Sequence, residues 1–356
     1  MILAFYGLFR VKCSPRKLIL ILFRWLSVTI KLNKIYLAPM EGVCDSPMRK
    51  VLTHYGAYDE CFSEFIRVTT DVLPYKTLLR DVPELKEDGK TAYGCPCRVQ
   101  LLGDVPEPLA QTALRAVEVG AKSIDLNFGC PSRFVHHGGS MLLKEPELLH
   151  SIVCRVREVL DPSIFLSVKF RLGFLDASEL PEIVKAVAVD GVNELIIHAR
   201  TRKDLYKKEA LNWEAIGAIA GQTNNIPVVA NGDIVSFETS QQCAQITKTD
   251  RQMIGRAIFA MPNIPQVLRG QEQPYPMEKV FAIAWEFAME LVSRNYPEKS
   301  VMDRLKQFLG WAQKYDQGYQ EFFRTFCRSQ SVFEAQQLLA AKMQELTDKQ
   351  GAIEGS

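Results

Sequence analysis

The chain carries no strong excess of either charge. Against 43 Lys and Arg stand 41 Asp and Glu in 356 residues, a formal charge of +2. A nucleic-acid partner would therefore have to meet a local basic face rather than a basic whole. Long apolar runs are missing too. The run LILILF at Leu18–Phe23 stops at Arg24, far short of the ~20 residues of a membrane-spanning helix, and no membrane role is expected. Histidine is scarce, with 5 residues, and Cys95 and Cys97 in CPC have no further Cys or His at zinc spacing; no metal site is expected. Nine cysteines without paired spacing fit reduced thiols and a cytoplasmic location rather than a disulfide framework. A GxGxxG loop after the first strand, the phosphate grip of doubly wound sheets, is also absent.

What is present is uneven. Residues 1–34 hold Arg10, Lys12, Arg16, Lys17, Arg24, Lys31 and Lys34 and no acid, so the remainder is net acidic. This segment has no small-residue cleavage site before Ile35 and is expected to be a peripheral extension or an early-assigned start; a basic membrane-surface helix is the alternative. From Ile35 a two-beat rhythm begins. Short apolar runs at 35–40, 60–66, 97–103, 123–129, 165–173, 194–201, 226–234 and 252–259 predict eight strands. Amphipathic stretches at 46–56, 106–120, 145–160, 177–191, 212–222 and 237–248 predict helices. Eight such alternations predict an α/β fold, a closed (β/α)8 TIM barrel over 35–270, with an open doubly wound sheet as the rival. The polar pair Arg251-Gln252 is a blemish in the eighth strand of such a wall. After Gly270 only helical patterning remains, rich in aromatics, and predicts a small helical bundle over 271–348 with a short tail at 349–356.

In a parallel barrel, chemistry gathers where strands end. Gln100, Asn127, Lys169, His198 and Asn231 each stand where an apolar run stops, which predicts one shared polar rim. Any one alone would read as a strand-end amide or a snorkelling lysine. Gly232 and Gly255 follow strands seven and eight, where barrels build phosphate sites from backbone amides, and Arg256 adds a bidentate charge. That pattern fits a nucleotide-like cofactor, flavin mononucleotide (FMN) in particular, with the strand-five lysine near its electron-rich ring.

Taken together, LAPMEGVCDSPMR, RVQLLG, DLNFGCPS, SVKFRLG, HARTRKDLY, NIPVVANGDI and MIGRA resemble the tRNA-dihydrouridine synthases, and among them the C type, which acts on the D-loop uridine at tRNA position 16. The resemblance spans roughly 35–345. It implies an FMN barrel followed by a helical tRNA-binding domain, and reduction of the C5=C6 bond of a uridine with NADPH (or NADH) as reductant. It implies that FMN passes hydride to C6 while Cys130 protonates C5. A thiol with an ordinary pKa of ~8.5 is mostly protonated near neutrality and suits that role. The resemblance also implies that Pro39, Met40, Glu41, Gln100, Lys169, His198, Asn231, Gly232, Asp233, Gly255 and Arg256 hold the cofactor. Asn127 would address the base or flavin edge; Arg171 and Arg200, with Arg304 and Arg324 of the tail, are candidate tRNA contacts. The chain is expected to act as a monomer with tRNA as its partner and no stable protein partner.

One departure from the family lies in RFVHHGGSMLL, a shortened loop with Arg133 where relatives have Lys and with His136 and His137, expected to be solvated. The tail holds ten Lys or Arg against twelve Asp or Glu over 271–356, so RNA binding there would need an uneven distribution. Two alternatives remain: a dihydroorotate- or dihydropyrimidine-type flavin dehydrogenase acting on a free base, and a tRNA-binding protein without turnover.

Overall fold

Nine β segments build one closed parallel sheet: β1 (Lys34–Leu37), β2 (Glu60–Phe62), β3 (Ile66–Arg67), β4 (Cys97–Leu102), β5 (Ser123–Phe128), β6 (Phe165–Arg171), β7 (Glu194–His198), β8 (Val228–Asn231) and β9 (Arg251–Ile254). The computed structural model describes residues 29–131, 138–315 and 318–354; residues 1–28, and Arg133, His136 and His137, lie outside them. β1 pairs with β9 on one side and β2 on the other, and β2 and β3 both pair with β4. They are two pieces of one expected strand. Between them the Ser63 hydroxyl accepts the Gln100 amide at 2.9 Å, so a side chain takes over one rung of the ladder. The result is the eight-stranded barrel expected from the sequence. β4 and β5 are buried at every position, as strands covered on both faces must be.

Around the sheet run α1 (Ser46–Tyr55), α2 (Tyr75–Asp81), α3 (Pro106–Glu118), α4 (Pro146–Val159), α5 (Leu180–Val187), α6 (Trp213–Ala218), α7 (Phe237–Thr247) and α8 (Ile264–Leu268). Their starts follow local chemistry. The Asp45 carboxylate accepts from the Met48 amide at 3.2 Å, and α3 and α4 each open on a proline that needs no donor there. Three expectations change. The helix over 177–191 is a 3-10 turn (Ala177–Glu179) followed by the shorter α5, and the strand over 252–259 ends at Ile254, with a 3-10 turn at Arg256–Phe259. The helices α2 and α8 are additions to the expected set.

The polar pair in β9 is fully answered. Arg251 donates to Glu194 at 2.7 Å, while Gln252 turns outward to α7, accepting from the Ser240 hydroxyl at 2.7 Å and donating to its carbonyl at 2.8 Å. Glu194 is fully buried and also takes Tyr36 at 2.8 Å and Arg98 at 3.1 Å. Arg98, itself buried, binds Glu60 as well and lies over the rings of Phe62 at 4.7 Å and Phe165 at 4.5 Å. Burial and the neighbouring Glu194 carboxylate push the Tyr36 hydroxyl far above the usual phenol range. This ionic plug fills the barrel at the N-terminal ends of its strands.

Four helices follow: α9 (Met277–Ser293), α10 (Glu298–Ala312), α11 (Gly318–Phe326) and α12 (Val332–Glu354). They bury their own aromatic seam, Phe281 against Phe322 at 4.7 Å and Tyr319 at 5.3 Å. They also grip the barrel. Phe308 of α10 stands edge-on to Phe259 at 5.2 Å, and Lys50 of α1 pairs with Glu290 of α9 at 2.6 Å. Among the described residues no helix is long and apolar enough to cross a membrane.

Removing Glu194 would take the carboxylate from Arg251 and leave Arg98 with Glu60 alone. Glu194→Ala should lower the unfolding free energy by about 3–5 kcal/mol, the usual result of orphaning one side of a buried pair. Urea titration of the purified variant measures this, and a loss under about 1 kcal/mol would show that the plug does not hold the barrel.

Candidate active site

A cavity of about 520 Å3 opens at the C-terminal ends of the strands, within the range of small-ligand and cofactor sites. Strand ends from around the barrel contribute to its lining: Pro39, Met40 and Glu41 after β1, Gln100 from β4, Asn127 and Cys130 from β5 and its turn, Lys169 and Arg171 from β6. His198 of β7, Asn231, Gly232 and Asp233 of β8 and its turn, and Gly255 and Arg256 after β9 complete the strand side. The rim expected from isolated polar residues is thus one continuous wall.

Its floor is a hydrogen-bonded chain that begins at a buried carboxylate. Asp125 accepts from the Ser167 hydroxyl and from Gln100 Nε2 at 2.7 Å. Gln100 Oε1 accepts from Asn127 Nδ2 at 2.7 Å. Asn127 Oδ1 in turn accepts the amides of Gly129 and Cys130, both at 2.9 Å. Asn127 therefore acts first as a local cap that folds the chain back at the thiol, a role short polar side chains commonly take. The same turn is closed from the other side, because the Cys130 carbonyl accepts from the Ser140 amide at 3.0 Å and its hydroxyl at 2.7 Å. Gly139 makes this approach possible. Its φ is +55°, and a Cβ there would stand 2.9 Å from the Cys130 carbonyl oxygen. Cys130 is left half-buried, as a wall residue of the cavity.

Charge in the cavity is positive and partly desolvated. Burial, then the Arg171 charge, hold the Lys169 amine below the usual lysine range; burial raises the Asp125 carboxyl, opposed by Ser167 and Arg98. Burial and the cations Arg171, Lys169, Arg200 and Arg256 push His198 well below the ordinary imidazole range. His198 Nδ1 is buried without a partner. On the β8–β9 side, Asp233 accepts from Arg200 at 2.5 Å and Arg256 at 3.2 Å, and Arg256 also faces the rings of Tyr206 at 5.0 Å and Trp311 at 5.9 Å. Asn231 Nδ2 donates to the Met253 carbonyl at 2.8 Å, tying β8 to β9.

The sequence matches the dihydrouridine synthase (Dus) family profile over residues 36–350. The chain is 43% identical over 283 residues to the tRNA-dihydrouridine(16) synthase of Haemophilus ducreyi, covering 79% of this chain and 86% of that one. It is 40% identical over 292 residues to the tRNA-dihydrouridine(16) synthase of Escherichia coli K12, covering 81% and 92%. The chain belongs to the dihydrouridine synthase family. It is an oxidoreductase by that membership.

Four arginines expected at tRNA contacts of this dihydrouridine synthase sort differently. Arg171, though it lines the cavity, is buried and donates to the carbonyls of Gly129 at 2.8 Å, Thr201 at 3.0 Å and Leu205 at 2.8 Å. Arg200 is buried too, and donates to Lys207 O at 2.6 Å besides Asp233. Arg304 pins the loop after β1, donating to Gly42 O at 3.1 Å, Val43 O at 2.8 Å and Asp45 at 2.9 Å. The bonds these three guanidiniums make run to carbonyls and carboxylates of the protein. Arg324 on α11 is exposed and lies outside the cavity lining. Sequence reasoning missed Asp125, Tyr206, Trp311 and Tyr315. Asp125 and Asn127 share one face of β5 by the two-residue period, which is the signal for the first; Trp311 and Tyr315, four apart, gave a weaker one.

Asn127→Ala would strip the acceptor from two amides beside the thiol. Hydrogen exchange at Gly129 and Cys130 should quicken by roughly 5- to 150-fold, the equivalent of about 1–3 kcal/mol for an unanswered buried group. Unchanged protection at both amides, read by exchange mass spectrometry or NMR, would remove Asn127 from this role.

Proposed function

We propose that this enzyme reduces the C5=C6 bond of a D-loop uridine in tRNA, at position 16, to 5,6-dihydrouridine, with FMN as cofactor and NADPH (or NADH) as reductant. Family membership and the names of the two relatives support dihydrouridine formation in tRNA. The observation that carries the chemical detail is the capped turn that leaves a half-buried thiol in the wall of a cationic cavity.

The residues present fit an FMN. The orphaned His198 Nδ1 is a polar atom that a ligand edge can answer. Gly255 keeps its backbone open, since a Cβ there would meet no atom closer than Met40 Sδ at 3.8 Å. With Asn231, Gly232, Asp233 and Arg256 it would hold the phosphate end, while Pro39, Met40, Glu41, Gln100, Lys169 and His198 would hold the ring. When bound, FMN supplies the reducing equivalents that C6 of the uridine receives. Lys169 would offer positive charge to the electron-rich ring. Cys130 holds the proton destined for C5, and its amide anchor to Asn127 fixes where that proton is offered. Tyr206 and Tyr315 are 51% and 37% exposed at the cavity, leaving the mouth open enough for a base still attached to its chain. The barrel over 35–270 then serves as the catalytic part and the helices of 271–348 as the tRNA-binding part.

Cys130→Ala should keep flavin absorbance and tRNA affinity while lowering dihydrouridine formation in unmodified tRNA by roughly 10²- to 10⁴-fold, the range of a lost general acid. Normal turnover in that variant would sink the proton-donor assignment. Lys169→Ala should lower FMN retention on gel filtration or slow flavin bleaching by NADPH; if neither changes, Lys169 does not serve the ring. Turnover of free uracil or orotate in place of tRNA would favour a small-molecule dehydrogenase instead.

A further inference from the structure

Arg171 and Arg200 converge on a single surface loop. Between them they donate to the carbonyls of Thr201, Leu205 and Lys207, so two fully buried cations fix the backbone of residues 201–207. The amides of Arg202 and Lys203 add bonds to Gly173 O at 2.9 Å and Phe174 O at 3.0 Å. Leu205 sits in the left-handed region at φ +53°, a conformation a branched residue adopts only when its surroundings impose it. The loop is thus held in one shape before any partner arrives, which lowers the entropy lost on binding.

What the loop displays is basic. Lys203, Lys207 and Lys208 are exposed, and Lys207 and Lys208 form no ion pair among the described residues. Arg202 and Lys144 share the Phe174 ring, at 5.0 and 4.0 Å, and extend the same surface. Of the neighbouring carboxylates Asp176 lies near enough to Lys203 to feel its charge, and the hydrogen bonds the others accept are local. Glu179 accepts the amides of Phe174 at 2.7 Å and of Leu175 and Asp176 at 3.1 Å; Asp176 caps Ser178; Asp204 takes the Thr201 hydroxyl at 2.6 Å. Glu209, next to this stretch, stays exposed. The loop also reaches the cavity, since its Leu205 and Tyr206 line the wall.

We propose that the loop of residues 201–208 is a docking surface for the phosphates of the tRNA that presents its uridine to the cavity, with Lys203, Lys207 and Lys208 as the contacting cations. The proposal rests on the tRNA-modifying function argued above. Ammonium heads on flexible stems suit phosphate oxygens at variable spacing, and their place beside the cavity lets them hold the backbone flanking an extruded base.

The test compares wild type with the triple variant Lys203→Gln/Lys207→Gln/Lys208→Gln, full-length, on unmodified tRNA. Each lysine withdrawn from a phosphate should flatten the dependence of log Kd on log salt by about 0.7–0.9, hence by about 2–3 for the three together. KM for tRNA should rise about tenfold or more with kcat at saturation within about twofold, the mark of a uniform binding interaction. Lys122→Gln, an exposed residue just before β5 and so at the end of the barrel away from the cavity, is the control and should change neither. An unchanged slope and Kd in the triple variant would overturn the proposal, as would an equal change in the control. If wild type forms no dihydrouridine, the function above fails on its own, and the slope comparison still decides the loop.

Discussion

A carboxylate without water must be answered by donors, and in this barrel the answers to Asp125 set the geometry of the cavity. Its two oxygens take the Ser167 hydroxyl and the Gln100 amide. That choice fixes which way the Gln100 side chain points, leaves its carbonyl for Asn127, and leaves the Asn127 carbonyl for the two amides at the thiol. Each link has a single orientation that satisfies both ends. In a low-dielectric interior an amide turned the wrong way would leave two buried groups unpaired at once. The position of Cys130 is therefore inherited from a residue with no place in the cavity lining.

The cavity's cations obey the same constraint. Lys169, Arg171, His198, Arg200 and Arg256 gather around two carboxylates, Asp125 and Asp233. So much positive charge is tolerable because the members differ in kind. Burial and its cationic neighbours favour the neutral form of His198, Lys169 holds its proton less tightly than an exposed lysine, and the arginines, which cannot deprotonate, take backbone carbonyls and carboxylates.

Much of this is legible in the sequence. Alternation along a strand tells which residues share a face, and that logic places Gln100, Asn127, Lys169, His198 and Asn231 on one rim. Carried further, it catches Asp125, two residues before Asn127, and turns Arg171 inward, two after Lys169. Arg171 and Arg200 suggest RNA contacts instead, because arginine near an opening suggests phosphate. What no single strand can tell is register. Gln100 stands beside Asp125, and Asn127 beside Lys169, through pairings of β4, β5 and β6 that are set by barrel closure. The Arg251-Gln252 pair is puzzling in sequence for the same reason: its partners, Glu194 and Ser240, lie 57 and 12 residues away.

By sequence texture the tail is an appended bundle, and its packing argues for a closer bond. Trp311 of α10 and Tyr315 just beyond it form part of the cavity wall, and Trp311 stacks near Phe259, in the turn after β9. Arg304 and Gln307 of the same helix donate to the carbonyl of Gly42, and Arg304 also to that of Val43. Those carbonyls belong to the loop that carries Pro39, Met40 and Glu41, so one wall of the cavity takes its shape from a helix that begins at Glu298. A division at residue 270 separates barrel from bundle in the sequence, yet it passes through the site. The loop beside the cavity and the helix that begins at Glu298 are thus joined through one guanidinium.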